Sequence, residues 1–437
     1  MAHTIAVEKL RVGMFIHLEG GWMSHPFPLS AFRIGGDEQL ATLRGLGLKA
    51  VRWSPERSDP EHALPALNGQ AAADATEDAL RQAADCSAAA AAAAAASTAA
   101  ALAQRRRALT EQRDVAQRCE RHYGEAAKAW REASEAITAR PQAARAASVA
   151  LVQGMLDQLL GDNDIAIRLV NGGGGDRASA HALNVSVVSL LIGRALGLPD
   201  QDMLDLGVGA LLHDIGKQDL PARLHHVEDG FTPAELAGYR DHVAKGVLQG
   251  KRLALSAGAL SVLAQHHEHA DASGFPQRLN VDRMSAPARI VAIVNRYDNL
   301  CNPPPRVPAL TPHEAVSTLF AQGRNKFDAA VLGAFIRMMG VYPAGSLVQL
   351  TDDRFAMVVG VNSSRPLKPR VLVHEARVPR SEALFLNLEE AHNVGIRRSL
   401  VAAKLPTATL EYLDPRPRVA YFFEVLSQER SVAEVAA

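Results

Sequence analysis

Leu211-Leu212-His213-Asp214-Ile215-Gly216-Lys217 is the stretch on which the reading of this chain turns. An imidazole and a carboxylate stand side by side behind an apolar run, and a lysine follows about one helical turn after His213. Residues of the same ligand type recur on both sides: His181, His242, the pair His266-His267, and Asn295 where a further carboxylate would be wanted. His181 precedes His213 by 32 residues, Asp214 precedes His242 by 28, His242 precedes His266 by 24, and His267 precedes Asn295 by 28. Each interval is about one helical hairpin, so a bundle can return one inward-facing ligand per helix to a common level. One such histidine means little, because an isolated histidine in a helix is ordinarily packed or solvated. A set at these intervals points to a shared site.

The surrounding sequence has the periodicity that such a site needs. From about Asp176 to Met339, apolar residues fall three and four apart, as in Leu183, Val187, Leu190, Leu191 and Leu196, and no strand alternation competes. Gly172 to Gly175 form a loop ahead of this region; the lysine and hydroxyl residue of a phosphate-binding P-loop are missing there. Residues 1–60 mix short alternating segments with one helix, Asp37 to Leu46, as a small α+β module. Residues 68–165 form an alanine-rich helical connector, uninterrupted alanine from Ala88 to Ala96, with a break at Pro141 and a further helix through Val152 to Leu160. Alanine buries little area, so this helix needs a partner, and a second copy of the chain is one candidate. Residues 345–437 form a small β-rich extension, with strands at Ser346 to Leu350, Phe355 to Val361 and Arg370 to His374. The expected fold class is mainly α, with the helical bundle occupying 176–344.

Neutral imidazoles with a single carboxylate suit iron, manganese or zinc, whereas calcium would find too few oxygens. The two oxygens of Asp214 can bridge a pair of ions, and ions about 4 Å apart share a hydroxide that attacks phosphorus while both stabilise the accumulating charge. Phosphodiester hydrolysis is the predicted reaction. His225, His226 and His269 are expected at the surface, and His3, His17, His25 and His62 belong to another domain.

Composition narrows the partners. The 437 residues carry 47 lysines and arginines against 47 aspartates and glutamates, so no overall field draws the chain to nucleic acid or an acidic membrane, and an anionic ligand needs a local site. Cys86, Cys119 and Cys301 are too scattered for a disulfide framework and suit a reducing compartment. No convincing membrane span or signal peptide is evident, so a cytoplasmic location is expected.

The segment from Leu211 to Lys217, followed by His266-His267-Glu268-His269-Ala270-Asp271-Ala272-Ser273-Gly274-Phe275-Pro276, resembles the HD-GYP family of cyclic di-GMP phosphodiesterases, a branch of the HD superfamily. The likeness covers about Asp176 to Ala344. The resemblance implies an HD-type bundle holding two divalent transition-metal ions, iron or manganese, on His181, His213, Asp214, His242, His266 and His267, with Asp214 bridging. It implies that Lys217 faces the scissile phosphate and that Gly274, Phe275, Pro276 and Arg306 contact the substrate, cyclic di-GMP, which is opened to linear pGpG with a further step to GMP left open. Arg11 to His17 with Gly21 to Phe27 resembles the small uncharacterised domain that often precedes such domains, for which position alone suggests regulation and signalling partners.

This sequence departs from the family pattern in four places. Asn295 stands where the family has its last metal-ligating aspartate, and an amide brings no charge; Asp298, one turn on, is a candidate replacement. The basic segment expected after that helix reads Asn302-Pro303-Pro304-Pro305-Arg306, leaving one cation. Phe275 replaces a tyrosine, and Arg177 occupies the place of a glutamate found in members that hold three metals, so two ions at most are expected. Two other readings therefore stand beside the first: a degenerate member that binds a nucleotide or protein without turnover, and a hydrolase of another phosphate ester.

Overall fold

The computed structural model describes residues 3–18, 26–27, 29–62, 69–161, 164–170, 176–227, 230–305, 307–362, 365–391 and 393–426. The glycine run Gly172 to Gly175, the motif residues Gly21 to His25, and Arg306 lie outside them. The chain divides into two compact units, Met1–Leu102 and Ala103–Ala437.

In the first unit, β1 (His3–Ala6), β2 (Phe15–His17), β3 (Ala31–Arg33) and β4 (Ala50–Trp53) form an antiparallel sheet in the order β1-β4-β2-β3, with α1 (Asp37–Gly45) between β3 and β4. Ile16, Ile34, Leu40, Leu43 and Val51 close a small core between helix and sheet. The expected module of short strands around one helix is what the chain forms. The alanine-rich segment is a single helix, α2 (Gly69–Ala136), whose described alanines from Ala88 to Ala96 are exposed throughout. Within the second unit, α2 docks firmly: Tyr123, Ala126 and Ala127 enter the main core, Gln112 exchanges hydrogen bonds with Ala383 O and Phe385 N, and Trp130 Nε1 donates to Leu211 O at 3.1 Å.

The bundle begins with α3 (Pro141–Leu159), which Pro141 opens at the first helical position, where a missing N–H costs nothing. After the strand β5 (Asp164–Leu169) come α4 (Arg177–Ala195), α5 (Asp200–Leu212), α6 (Pro233–Arg252), α7 (Ala257–Gln265), α8 (Ala286–Cys301), α9 (Pro312–Gln322) and α10 (Ala329–Met339). Their starts are written in the sequence. Asp176, Ser256 and Ser285 cap α4, α7 and α8 with side-chain oxygens, and Thr232 with Glu235 and Thr311 with Glu314 form reciprocal capping boxes on α6 and α9. Helix α4 is long and apolar enough by composition to cross a membrane, but 72% of its apolar window is buried inside the fold, as befits the central helix of a bundle.

The C-terminal segment supplies β6 (Leu347–Leu350), β7 (Phe355–Asn362), β8 (Arg370–Val373), β9 (Leu386–Asn387), β10 (Ile396–Leu400), the helix α11 (Thr407–Leu413) and β11 (Tyr421–Leu426). These join β5 in one seven-stranded antiparallel sheet. Alternation along β7 sends Met357 and Val359 into one core and Ala356 and Val358 into another, as the two-residue period of a strand requires. The sheet thus reaches back to the segment between α3 and α4 to recruit β5, whose full register with β11 runs from Leu169–Tyr421 to Asp164–Leu426. Strand β5 is not among the expected elements, although Ile165, Ile167 and Leu169 alternate with Asp164 and Arg168 in the pattern of a short strand.

Candidate metal centre

His213 and Asp214 sit where α5 ends and a 3₁₀ turn, Ile215–Asp219, begins. A Cβ on Gly216 would lie 1.9 Å from His242 O and 2.4 Å from Gly246 N, so only glycine lets the turn press against α6 and bring His242 to Asp214. His181 comes from the second turn of α4, His242 from the middle of α6, and His266-His267 from the end of α7. With His213, these side chains converge from four different helices on Asp214, at the turn after α5.

Hydrogen bonding assigns the proton on four of these imidazoles. His213 Nδ1 donates to Ala210 O at 2.7 Å, His242 Nδ1 to Tyr239 O at 2.6 Å and His266 Nδ1 to Leu263 O at 2.9 Å, each to a carbonyl that can only accept. His181 Nδ1 donates to Asp298 Oδ2 at 2.6 Å. The opposite nitrogens all turn inward. His181 Nε2 and His213 Nε2 lie 3.1 Å apart and 3.6 and 3.5 Å from Asp214 Oδ2. His242 Nε2 and His266 Nε2 lie 3.2 Å apart and 3.6 and 3.8 Å from Asp214 Oδ1. Each oxygen of Asp214 therefore faces its own histidine pair.

Burial pushes His213 down to about 4, lowers His242, and takes His266 and His267 well below the usual imidazole range, so these rings are neutral. Burial opposes the charge on Asp214 as well, yet Lys217, ahead of the histidines, holds its carboxyl well below the ordinary carboxylate range. Neutral rings protonated at Nδ1 aim lone pairs at one another and at an anion. Asp214 Oδ1 and His267 Nε2 are buried with no hydrogen-bond partner among the described residues. Such a concentration of buried acceptors calls for a cation. The donor atoms of Asp214, His242, His266 and His267 lie within 4.8 Å of one another, as do those of His181, His213 and Asp214. The residues fit two ions sharing Asp214, with nitrogen-rich sets suited to a transition metal.

Other expected site residues fall in and around this centre. Lys217 Nζ donates to Asp214 Oδ2 at 2.6 Å, and that carboxylate lifts its ammonium above the ordinary lysine range against the effect of burial. Phe275 stacks on His267 at 4.4 Å and lines a cavity of about 520 Å³ together with Lys217, His266, His267 and Asn295. Gly274 and Pro276 are not among the lining residues. Gly274 instead serves packing, since a Cβ there would lie 2.5 Å from Glu268 Cα, His267 O and His269 N. Asn295 is buried, and its Oδ1 accepts from Asn299 Nδ2 at 2.6 Å.

Two expectations need correction. His226 is not a mere surface residue: it lines the large cavity and also a second one of about 180 Å³ beside His181, His213 and Asp214, and burial brings it to about 4. His269 and His225, expected at the surface, are half-exposed and line the large and the smaller cavity respectively. Asp298 is not free to replace Asn295 as a ligand, because Oδ2 holds His181 and Oδ1 accepts from Asn184 Nδ2 at 2.7 Å and Asn302 Nδ2 at 2.9 Å.

The sequence reading also missed residues whose partners are remote in sequence. Asn184 and Asn302 bind both Asp298 and the chain entering β11: each donates to Val419 O, Asn302 Oδ1 accepts from Val419 N, and Asn184 Oδ1 accepts from Tyr421 N. Glu268, fully buried, accepts from Gln277 N at 2.6 Å and Leu279 N at 2.8 Å and so pins the loop, within which Ser273 N also donates to Asp271 Oδ1 at 3.0 Å. Arg177 Nη2 donates to Asn302 O, while its buried Nη1 has no acceptor among the described residues and the side chain lines the smaller cavity.

Residues 165–331 match the HD domain family, and residues 2–148 match a domain of unknown function, DUF3391. The chain is 28% identical over 384 residues to a cyclic di-GMP phosphodiesterase of Pseudomonas aeruginosa, covering 85% of each. It is 31% identical over 175 residues to the cyclic di-GMP phosphodiesterase response regulator RpfG of Xanthomonas campestris, covering 39% of this chain and 45% of that one. A 3'3'-cGAMP-specific phosphodiesterase of Vibrio cholerae is 29% identical over 172 residues, 38% of this chain and 36% of the other. Among solved structures, a protein of Bdellovibrio bacteriovorus described as HDG"Y"P aligns over 77% of this chain and 98% of its own, at 18% identity and a TM-score of 0.40.

Proposed function

We propose that this chain, an HD-domain protein of the HD-GYP type with a DUF3391 domain ahead of it, hydrolyses cyclic di-GMP to linear pGpG, with GMP as the product of a second cut. The observation that carries this reading is the convergence of four unprotonated Nε2 atoms on the two oxygens of one buried carboxylate. His181 and His213 with one oxygen of Asp214, and His242, His266 and His267 with the other, would hold two iron or manganese ions. Divalent ions held there would supply Lewis-acid charge and an activated nucleophile near neutral pH.

The chain's own side chains supply the rest. Lys217, whose ammonium already lies against Asp214, stabilises charge on the phosphoryl oxygens. Phe275, stacked on His267, fixes the orientation of that ring and presents an apolar wall to a base. Carbonyls and Asp298 hold the Nδ1 protons of His181, His213, His242 and His266 away from the centre, so each ring offers its lone pair without reorganisation. Incubation of the manganese- or iron-loaded chain with cyclic di-GMP and chromatography of the products tests the reading, and pGpG is the expected product.

Asn295 motivates a second reading, a binding protein without turnover, because an amide already engaged by Asn299 adds no charge to the centre. The two readings diverge on one substitution. In the enzyme, Asn295→Asp is expected to tighten metal retention by about tenfold, within the range that shell residues exert, and to leave pGpG as product. Metal titration against a chelator measures it.

We place the activity in the cytoplasm, where free thiols such as the buried Cys119 and Cys301 persist. The exposed alanine run of α2 supports a homodimer through that helix. Sedimentation equilibrium of the full chain is expected to give twice the chain mass, and Ala91→Glu with Ala95→Glu to return it to the monomer.

A further inference from the structure

The large cavity has a charge pattern that the metal centre does not explain. Among the described residues lining it there is no aspartate or glutamate, while Lys217, Arg296 and Lys326 all contribute. Lys217 lies against Asp214 and serves the phosphate at the metal centre. Arg296 and Lys326 are exposed, come from different elements, and have no ion-pair partner among the described residues. Arg296 follows Asn295 on α8, and Lys326 lies in the turn between α9 and α10, where its carbonyl accepts from Ala270 N at 2.8 Å in the loop that leaves His266-His267. His269 lines the same cavity. The Pro303, Pro304, Val307 and Pro308 wall brings no charge of its own.

A cavity of about 520 Å³ falls within the range that encloses a small-molecule ligand. A cyclic dinucleotide carries two phosphodiesters, and only one can sit at the metal centre in a given cut. The geometry points to Arg296 and Lys326 as the clamp for the other phosphate, which makes them the residues that select a two-phosphate substrate over a single diester. This inference rests on the diesterase reading above. A guanidinium on a rigid helix and an ammonium on a turn pinned to the catalytic loop suit a phosphate, since arginine offers a planar pair of donors and lysine a compact charge.

The test compares cyclic di-GMP with bis(p-nitrophenyl) phosphate, which has one phosphate, on the manganese-loaded full chain. Arg296→Ala and Lys326→Ala are each expected to raise KM for cyclic di-GMP about tenfold, in line with loss of one charge-assisted hydrogen bond, with kcat changed less than about threefold. Cleavage of bis(p-nitrophenyl) phosphate should stay within about twofold. A double variant that leaves the KM for cyclic di-GMP unchanged, or that impairs both substrates alike, overturns the inference while leaving the diesterase reading intact. Should the wild type cleave neither substrate, that reading fails instead, and calorimetric titration with intact cyclic di-GMP decides the clamp by the same tenfold loss per residue or its absence.

Discussion

Replacing His213 and Asp214 together by alanine is expected to abolish diesterase activity, a fall of more than about a thousandfold, and to leave a chain that retains neither metal ion. The magnitude follows from the several kilocalories per mole by which bound metal stabilises phosphoryl charge, each 1.36 kcal/mol being tenfold in rate. The effect is large because Asp214 is shared: its Oδ2 faces His181 and His213, and its Oδ1 faces His242 and His266. Removing it disarms both positions and strands Lys217, whose only described ion-pair partner it is. The folded state should survive, since His213 and Asp214 precede a turn whose packing depends on Gly216 and Ile215. Elemental analysis alongside product chromatography measures the effect, and far-ultraviolet circular dichroism confirms retention of helix. Activity unchanged in the double variant would place the chemistry elsewhere.

Asp298→Asn carries the second largest expectation, a loss of about 10- to 100-fold in affinity for one ion, the range typical of the residues that orient metal-binding histidines. The wild-type carboxylate accepts from His181 Nδ1 on one oxygen and from Asn184 and Asn302 on the other. An amide in its place can present only one acceptor. Two neighbouring amide donors require that acceptor, so the new NH₂ would face His181 Nδ1–H, donor against donor. His181 must then rotate or change tautomer, and its Nε2 no longer offers a lone pair to the site it shares with His213. The position formed by His242, His266 and His267 has no hydrogen bond to Asp298 and should keep its ion, so stoichiometry at limiting metal is expected to fall from two towards one. Equal loss from both positions would mean that Asp298 acts on the fold as a whole.

What the sequence could convey follows from the range of the interactions involved. His181, His213, His242 and His266 lie on separate helices, yet the helical period and the near-regular intervals mark them, because each helix must turn one face inward whatever its neighbours are. The capping residues of α4, α6, α7, α8 and α9 are local for the same reason. The residues that tune those histidines are different. Asp298 meets His181 across 117 positions, and Asn184 meets Val419 across 235, so nothing within a window of sequence announces either bond. His226 sits in a loop whose path over the centre depends on tertiary packing, and His225-His226 read alone as ordinary surface histidines. Strand β5 shows alternation over only six residues, and its pairing with β11 spans the whole bundle.

These remote bonds also tie the C-terminal strand to the site. The chain entering β11 is held by the two asparagines that hold Asp298, and Tyr421 Oη lies 2.8 Å from Tyr297 Oη on α8. The sheet is thus continuous with the support of the first histidine.

The most direct test of the central claim is product analysis with the anaerobically purified chain loaded with iron or manganese and given cyclic di-GMP. A two-metal phosphodiesterase built on His213 and Asp214 predicts release of pGpG by protein that holds two ions. Recovery of intact cyclic di-GMP from protein holding two ions per chain would contradict it.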